Sequence, residues 1–422
     1  MPEPTPNRPA APRDASTRIG RYDNPYRVAT WHRDPPSGTV CEPLLLDTQD
    51  RALAQGWLYT RGGERTVAVL MHPRADFSHH YVTPGLLDAG IAVLNVNSRW
   101  LNNDATLIHE QVVLDVAAGI AAVRDRFDRV VLIGNSGGAS LFTFYLHQAH
   151  APDGARLTHT AAGDGFDLNR FDLPGADAMV FLAGHAGEGH YLLHAIDPSV
   201  VDERDPIACD PDLDLYDARN GFVEPPDEPR YATEFLDRYR AAQRARVERI
   251  DARARELVAA RRAARTAWTA GSGATDDRRA AIATNFMTVY RTDADPRAVD
   301  RSLDPSARDY GSIWGRRPDW INYGAVGFGR VVSPEAWLST WSGLASQAEI
   351  AVTGSRMTLP ALQVVYSADN CIYPSDDDLI ARSLATEQLE RVTVAGDHYG
   401  FPAPEGRDVA TRVVADWITA SA

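Results

Sequence analysis

Residues 130–149 read VVLIGNSGGASLFTFYLHQA. Val130 to Ile133 form an uninterrupted apolar run, the pattern of a strand buried on both faces of a parallel sheet. Ala139 to Ala149 then reads as a helix. Between them lies Gly134-Asn135-Ser136-Gly137-Gly138, a G-x-S-x-G arrangement. A strand, a tight turn and a helix in that order hold the serine in strained backbone geometry. Gly134, Gly137 and Gly138 supply the neighbours without Cβ atoms that such crowding requires. The positive end of the helix dipole then faces any negative charge developing beside Ser136. A phosphate-binding glycine turn is the rival reading, but the G-x-G-x-x-G spacing it needs is absent.

Working outward, GWLYT at 56–60, TVAVLMH at 66–72 and IAVLNVN at 91–97 read as strands, and DAMVFLAG at 177–184 as another. From His109 to Phe127 apolar residues recur at helical spacing (Val112, Val113, Val116, Ile120, Val123), so strands and helices alternate as βαβ units. The alternation stops near residue 190. An acidic, Pro-punctuated stretch follows, and then a long helical tract with one apolar stripe through Phe235, Tyr239, Ala242, Val247, Ile250, Ala254 and Leu257. Its interleaved arginines and acids read as a solvated face. Sheet texture resumes with ALQVVYS at 361–367 and RVTVAG at 391–396, and DVATRVVADWITA closes the chain as a helix. This predicts an α/β core, residues 21–189 and 356–422, interrupted by a mainly helical cap over 190–355. The Pro-rich residues 1–20 are expected to be a mobile arm.

A serine nucleophile needs a base, and the base needs an orienting acid. ALQVVYS runs into Asp369 and RVTVAG runs into His398, each just beyond a late strand, in the chain order Ser, acid, His. With these three placements the chain resembles the α/β-hydrolase superfamily. The resemblance covers roughly residues 40–190 and 355–420, and the insertion matches the family's cap by position alone. It implies a mostly parallel sheet flanked by helices, Ser136 as nucleophile, His398 as base and Asp369 as acid. It also implies an oxyanion hole made by the Gly137 amide and one from the loop Met71-His72-Pro73-Arg74-Ala75. The family usually has His-Gly here. Pro73 has no N–H to give, so the second donor is expected at Arg74, with Ala75 as the fallback. His72 and Asn135 flank these positions and are candidate substrate contacts. Asp376, Asp377 and Asp378 read as acids opening a helix, and Asp397 as a loop residue.

The 422 residues are 44% hydrophobic and 24% charged, a globular composition with net charge −14. That charge opposes nucleic acid and anionic membranes as partners. All 43 basic residues are arginine, which excludes chemistry anchored on a lysine amine. Three cysteines without paired spacing, Cys41, Cys209 and Cys371, suggest a reduced compartment, and without an apolar leader the expected location is the cytoplasm. His185, His190 and His194 with Glu188 and Asp197 lack a metal-binding motif, and Asp210 to Asp217 lacks the glycine and glutamate of a calcium loop. No metal and no cofactor is expected. The later insertion is rich in rings: Tyr310, Trp314, Trp320, Tyr323, Phe328, Trp337 and Trp341. They suit a lid over Ser136, the cap's own core or a homodimer surface. Trp337 and Trp341, four residues apart, share one helix face and are the candidate substrate contacts. The reading is a hydrolase of a small-molecule carboxylic ester with an apolar or aromatic moiety. Cleavage of a C–C, amide, thioester or lactone bond by the same triad is the alternative. A ligand-binding protein that kept the fold without the chemistry is the third reading.

Overall fold

The computed structural model describes residues 29–271, 274–402 and 405–421; the expected arm over 1–20 lies outside them. Eight strands form one sheet: β1 (Val40–Asp47), β2 (Leu53–Thr60), β3 (Thr66–His72), β4 (Ala92–Asn97), β5 (Arg129–Asn135), β6 (Ala178–Leu182), β7 (Ala361–Tyr366) and β8 (Leu389–Val394). Their order across the sheet is β1-β2-β4-β3-β5-β6-β7-β8. β2 is antiparallel to both β1 and β4. The other contacts are all parallel, with β5 in register between β3 and β6.

Strand composition follows position. β4, β5 and β6 are apolar and almost wholly buried, because helices cover both faces. α2 (His109–Arg124) and α3 (Gly137–Ala149) pack on one face, burying Val112, Val116, Ile120, Leu141 and Phe144. α1 (Thr83–Asp88) and the C-terminal helix (Glu405–Ala420) pack on the other, burying Leu86, Leu87, Val414 and Ile418. The edge strands β1 and β8 are largely exposed. β1 was not among the expected strands: Pro43 interrupts its run, and Leu45 faces solvent on this edge.

The insertion begins with α4 (Glu188–Ala195) and carries the 37-residue α5 (Thr233–Thr269). Helix is the main regular structure of the insertion, as expected, with irregular coil between its helical pieces. Beyond α5 the described residues form an eight-residue helix (Thr275–Ile282), a helical stretch from Pro334 to Trp341, shorter helical turns, a two-residue ribbon (Met287–Thr288 with Val331–Val332) and irregular coil. Gly, Asp and Pro recur through that coil and favour turns over helix. The apolar stripe of α5 packs through Val247, Ile250, Ala254 and Val258 onto Leu192, Trp337, Leu338 and Trp341. Its arginines are mostly solvated, with one exception. Arg246 is fully buried, paired with Glu203 and donating to the carbonyls of Asp197 and Tyr290. Among the described residues no helix is long and apolar enough to cross a membrane.

Trp337 sits at the centre of this cap core, with its indole N–H donating to Asp251 Oδ1 at 2.7 Å. Trp337→Ala should therefore cost about 3–5 kcal/mol of stability, read as a lowered urea midpoint. Residual enzyme at permissive temperature should keep its substrate preference.

Candidate active site

Four candidate positions lie at the C-terminal ends of parallel strands, where open α/β sheets build their sites. His72 ends β3, Ser136 follows β5, Asp369 follows β7 and His398 follows β8. Ser136 has φ 54° and ψ −124°, a strained conformation for a residue with a side chain. Its N–H donates to Leu182 O at the end of β6. The turn is tight enough that a Cβ on Gly138 would stand 2.2 Å from Met71 O, and one on Gly134 2.6 Å from the Ala139 backbone. Only glycine fits either position.

Ser136 Oγ lies 3.0 Å from His398 Nε2, and His398 Nδ1 lies 2.8 Å from Asp369 Oδ2. Asp369 Oδ1 accepts the N–H groups of Cys371 and Ile372 at 2.7 and 2.8 Å. The carboxylate is thereby fixed by two backbone donors and presents its second oxygen to the ring, which places the imidazole proton on Nδ1 and a lone pair toward Ser136. His398 and Asp369 are fully buried. Asp397, next to the histidine, accepts from Tyr399 and Phe401 N–H and shapes the loop. Asp376 opens the helix Pro374–Ser383 and joins the cap through His190 Nε2 (3.2 Å) and Arg297 Nη1 (3.1 Å).

A cavity of about 40 Å³ adjoins Ser136. Its polar side is His72, Arg74 and His185; its apolar side is Tyr191, Ile313, Trp314, Phe328, Cys371 and Tyr399. Behind the polar side, the buried Glu188 carboxylate stands 3.6 Å from Arg74 Nε, 3.6 Å from His185 Nε2 and 3.9 Å from His72 Nε2. Burial opposes its ionisation, but Arg74, His185 and His72 outweigh burial and hold the carboxyl well below the usual range. Burial, and then Arg74, push the His72 ring well below its ordinary pKa, so it stays neutral. Among the described residues no group of three or more His, Cys, Asp or Glu side chains is arranged to hold a metal ion.

Several expected contacts lie elsewhere. Asn135 is buried, and its amide is spent on Leu182 O (2.7 Å) and His80 Nε2 (3.2 Å), so it braces the turn instead of facing substrate. Trp337 belongs to the cap core. Trp341 stacks behind Phe328, 6.0 Å between ring centres, without lining the cavity. Trp314 and Phe328 form that wall in their place. The Arg74 N–H, expected to be the second oxyanion donor, is committed to His72 Nδ1 at 3.2 Å, as is that of Ala75 at 3.1 Å. The Arg74 guanidinium lies over Phe328 (4.4 Å) and beside Glu188. Glu188 and His185 were not expected in the site. Their only signal was a His/Glu cluster just after β6.

No protein-family profile and no curated protein matches the chain in sequence. Solved structures resemble it over most of its length. DcsB in complex with its substrate analogue aligns at 10% identity, 90% of this chain and 99% of that one, TM-score 0.49. An esterase from Pyrococcus furiosus aligns at 11% identity, 93% and 97% coverage, TM-score 0.45. An esterase domain from Rhodothermus marinus aligns at 8% identity, 90% and 98% coverage, TM-score 0.43. Likeness at this level adds nothing to the chain's own sheet order and strand–Ser136–helix turn, which define an α/β-hydrolase fold.

The contact between cap and core is open to a pH test. Burial raises the Asp376 carboxyl, but Arg297 and His190 outweigh it and bring it to about 2. Burial lowers His190, but Asp376 outweighs it and raises the ring above its ordinary value. Asp376 thus adds stability above the ordinary carboxylate pKa, about 3.9, which is lost as pH falls toward 2. His190 adds stability below the ordinary imidazole pKa, about 6.5, which is lost as pH rises through its raised value. Asp376→Asn should depress Tm most between about pH 4 and 6.5, with a smaller deficit near pH 9. A deficit that stayed constant across thermal melts in that range would contradict the pairing.

Proposed function

We propose that the protein is a serine hydrolase of carboxylic esters with an apolar or aromatic moiety, of which a short acyl or alkyl piece occupies the cavity. The carrying observation is the unbroken hydrogen-bond chain from Ser136 Oγ through His398 to Asp369, beside a small, partly apolar cavity. Ser136 Oγ attacks the ester carbonyl while its proton passes to His398 Nε2. The tetrahedral intermediate expels the alkoxide, which takes that proton and leaves as alcohol. Water then attacks the acyl–Ser136 ester, His398 again taking and returning a proton, and the acid is released. Asp369 holds the ring and stabilises the imidazolium. The Gly137 amide, at the start of α3, faces the developing oxyanion. No cofactor is required.

Cavity size supports the short group. A protein cavity of about 150 Å³ admits benzene, whereas this one is about 40 Å³. An aromatic part of the substrate is therefore assigned to the leaving alcohol, outside the cavity. Tyr191, Ile313, Trp314 and Phe328 offer the inner group apolar contact and exclude water during acylation.

With aryl esters of a common phenol, kcat/KM should fall steeply from acetyl to benzoyl. A fluorophosphonate should label Ser136 in a peptide map. Ser136→Ala should lower kcat by roughly 10⁴–10⁶ and Asp369→Asn by roughly 10³–10⁴ with the fold intact. Retention of more than a tenth of the activity by Ser136→Ala would refute the serine mechanism, and cleavage of vinylogous diketones in preference to esters would refute the ester assignment.

A further inference from the structure

An oxyanion hole needs two donors, and the loop after β3 does not offer its second in the usual way. Pro73 has no N–H, and the N–H groups of Arg74 and Ala75 both donate to His72 Nδ1, at 3.2 and 3.1 Å. A ring nitrogen that accepts hydrogen bonds carries no proton, so the neutral imidazole holds its proton on Nε2. That Nε2 has no hydrogen-bond partner among the described residues. Glu188 Oε1 stands 3.9 Å away, beyond reach. Nε2 also lies against Gly137, 2.8 Å from where a Cβ on that residue would be, and the ring lines the cavity with Ser136.

We propose that His72 Nε2–H is the second oxyanion donor, beside the Gly137 amide. The proposal rests on the ester-hydrolase reading and deepens it. The donor is preorganised: two backbone N–H groups fix the tautomer and ring plane, so no reorganisation accompanies reaction. Burial and then Arg74 push the ring well below its ordinary pKa, which favours the neutral imidazole as donor. Arg74, 3.6 Å from Glu188, offsets the carboxylate that would otherwise repel the oxyanion. The arrangement also explains the glycine after Ser136. A side chain at 137 would stand 2.6 Å from Glu188 Oε1, 2.8 Å from His72 Nε2 and 3.1 Å from His185 Nε2, closing the space the donor uses.

The test separates the two ends of the ring. In His72→Asn the amide oxygen replaces Nδ1 and keeps both loop N–H groups satisfied, but nothing reaches the Nε2 position. In His72→Gln the amide nitrogen reaches that position. His72→Asn should lower kcat on an aryl acetate by roughly 10²–10³, with KM within about threefold. It should weaken binding of an aryl trifluoromethyl ketone, which forms an oxyanion on Ser136, by a similar factor. His72→Gln should recover at least about tenfold of that loss. In the wild-type protein, ring-¹⁵N histidine NMR should show His72 protonated at Nε2, with that proton moving downfield when the ketone binds. Wild-type enzyme that labels at Ser136, while His72→Asn keeps more than about a third of kcat, overturns the donor assignment alone. A loss of kcat with unchanged ketone affinity, or an Nδ1–H tautomer, does the same. Wild-type protein that neither labels nor hydrolyses esters overturns the ester-hydrolase reading, and the donor assignment falls with it.

Discussion

The contact on which the structure turns is between the first turn of α3 and the end of β3, where Gly138 packs against the Met71 carbonyl. Two main chains meet there with no side chain between them. That approach lets β5 break into α3 within one strained residue, Ser136, and sets the helix start against the sheet edge. From this point Ser136 Oγ faces the loops that follow β7 and β8. His398 and Asp369 reach it only because those loops leave parallel strands on the same edge. A side chain at Gly138 would push α3 off β3 and separate groups that must stand about 3 Å apart.

The core was legible because burial writes continuous apolar runs. β5 and β6, covered on both faces, appear in the sequence as VVLIG and AMVFL. The loops after β7 and β8 carry Asp369 and His398 where chain order demanded them. β1 was less legible, because an edge strand needs no such run. Trp337 and Trp341 show a different limit. Spacing says that two rings share a face but not which neighbour the face meets, and here it meets α5 and α4. Ile313, Trp314 and Phe328 come from coil without periodicity: the ring-rich composition named Trp314 and Phe328 among the lid candidates, but spacing could not set them above Trp337 and Trp341. Arg74 and Asn135 were read by position as donor and contact. Each is instead satisfied locally, by a ring two residues back and by a carbonyl of the adjoining strand, and such pairings depend on side-chain direction.

Charge is concentrated where the two parts of the chain meet. His190, Arg297, Asp295 and Asp376 form one network between α4, the insertion's coil and the helix after β7. Ser339 and Thr340 reach α2 and its approach through Glu110 and Leu107 O. The cap is thus held by directional polar contacts at its base and by apolar packing within, and an apolar wall lies over a polar cluster beside Ser136. Water excluded by that wall would otherwise screen the dipoles aimed at the reacting carbonyl.

The wall residues Ile313, Trp314 and Phe328 belong to a stretch of coil that forms no strand of the sheet, whereas the reacting groups hang from β5, β7 and β8. The candidate reacting groups and the greater part of the apolar wall thus come from separate stretches of the chain, although Cys371 and Tyr399 line the cavity from the loops that carry Asp369 and His398. Variation in that coil can redraw the inner surface without disturbing the 2.8 and 3.0 Å contacts of His398. Variation at Gly134 or Gly138 has no such freedom. An evolutionary path to a new substrate is thereby channelled into the insertion, and the sheet edge is held nearly constant along it.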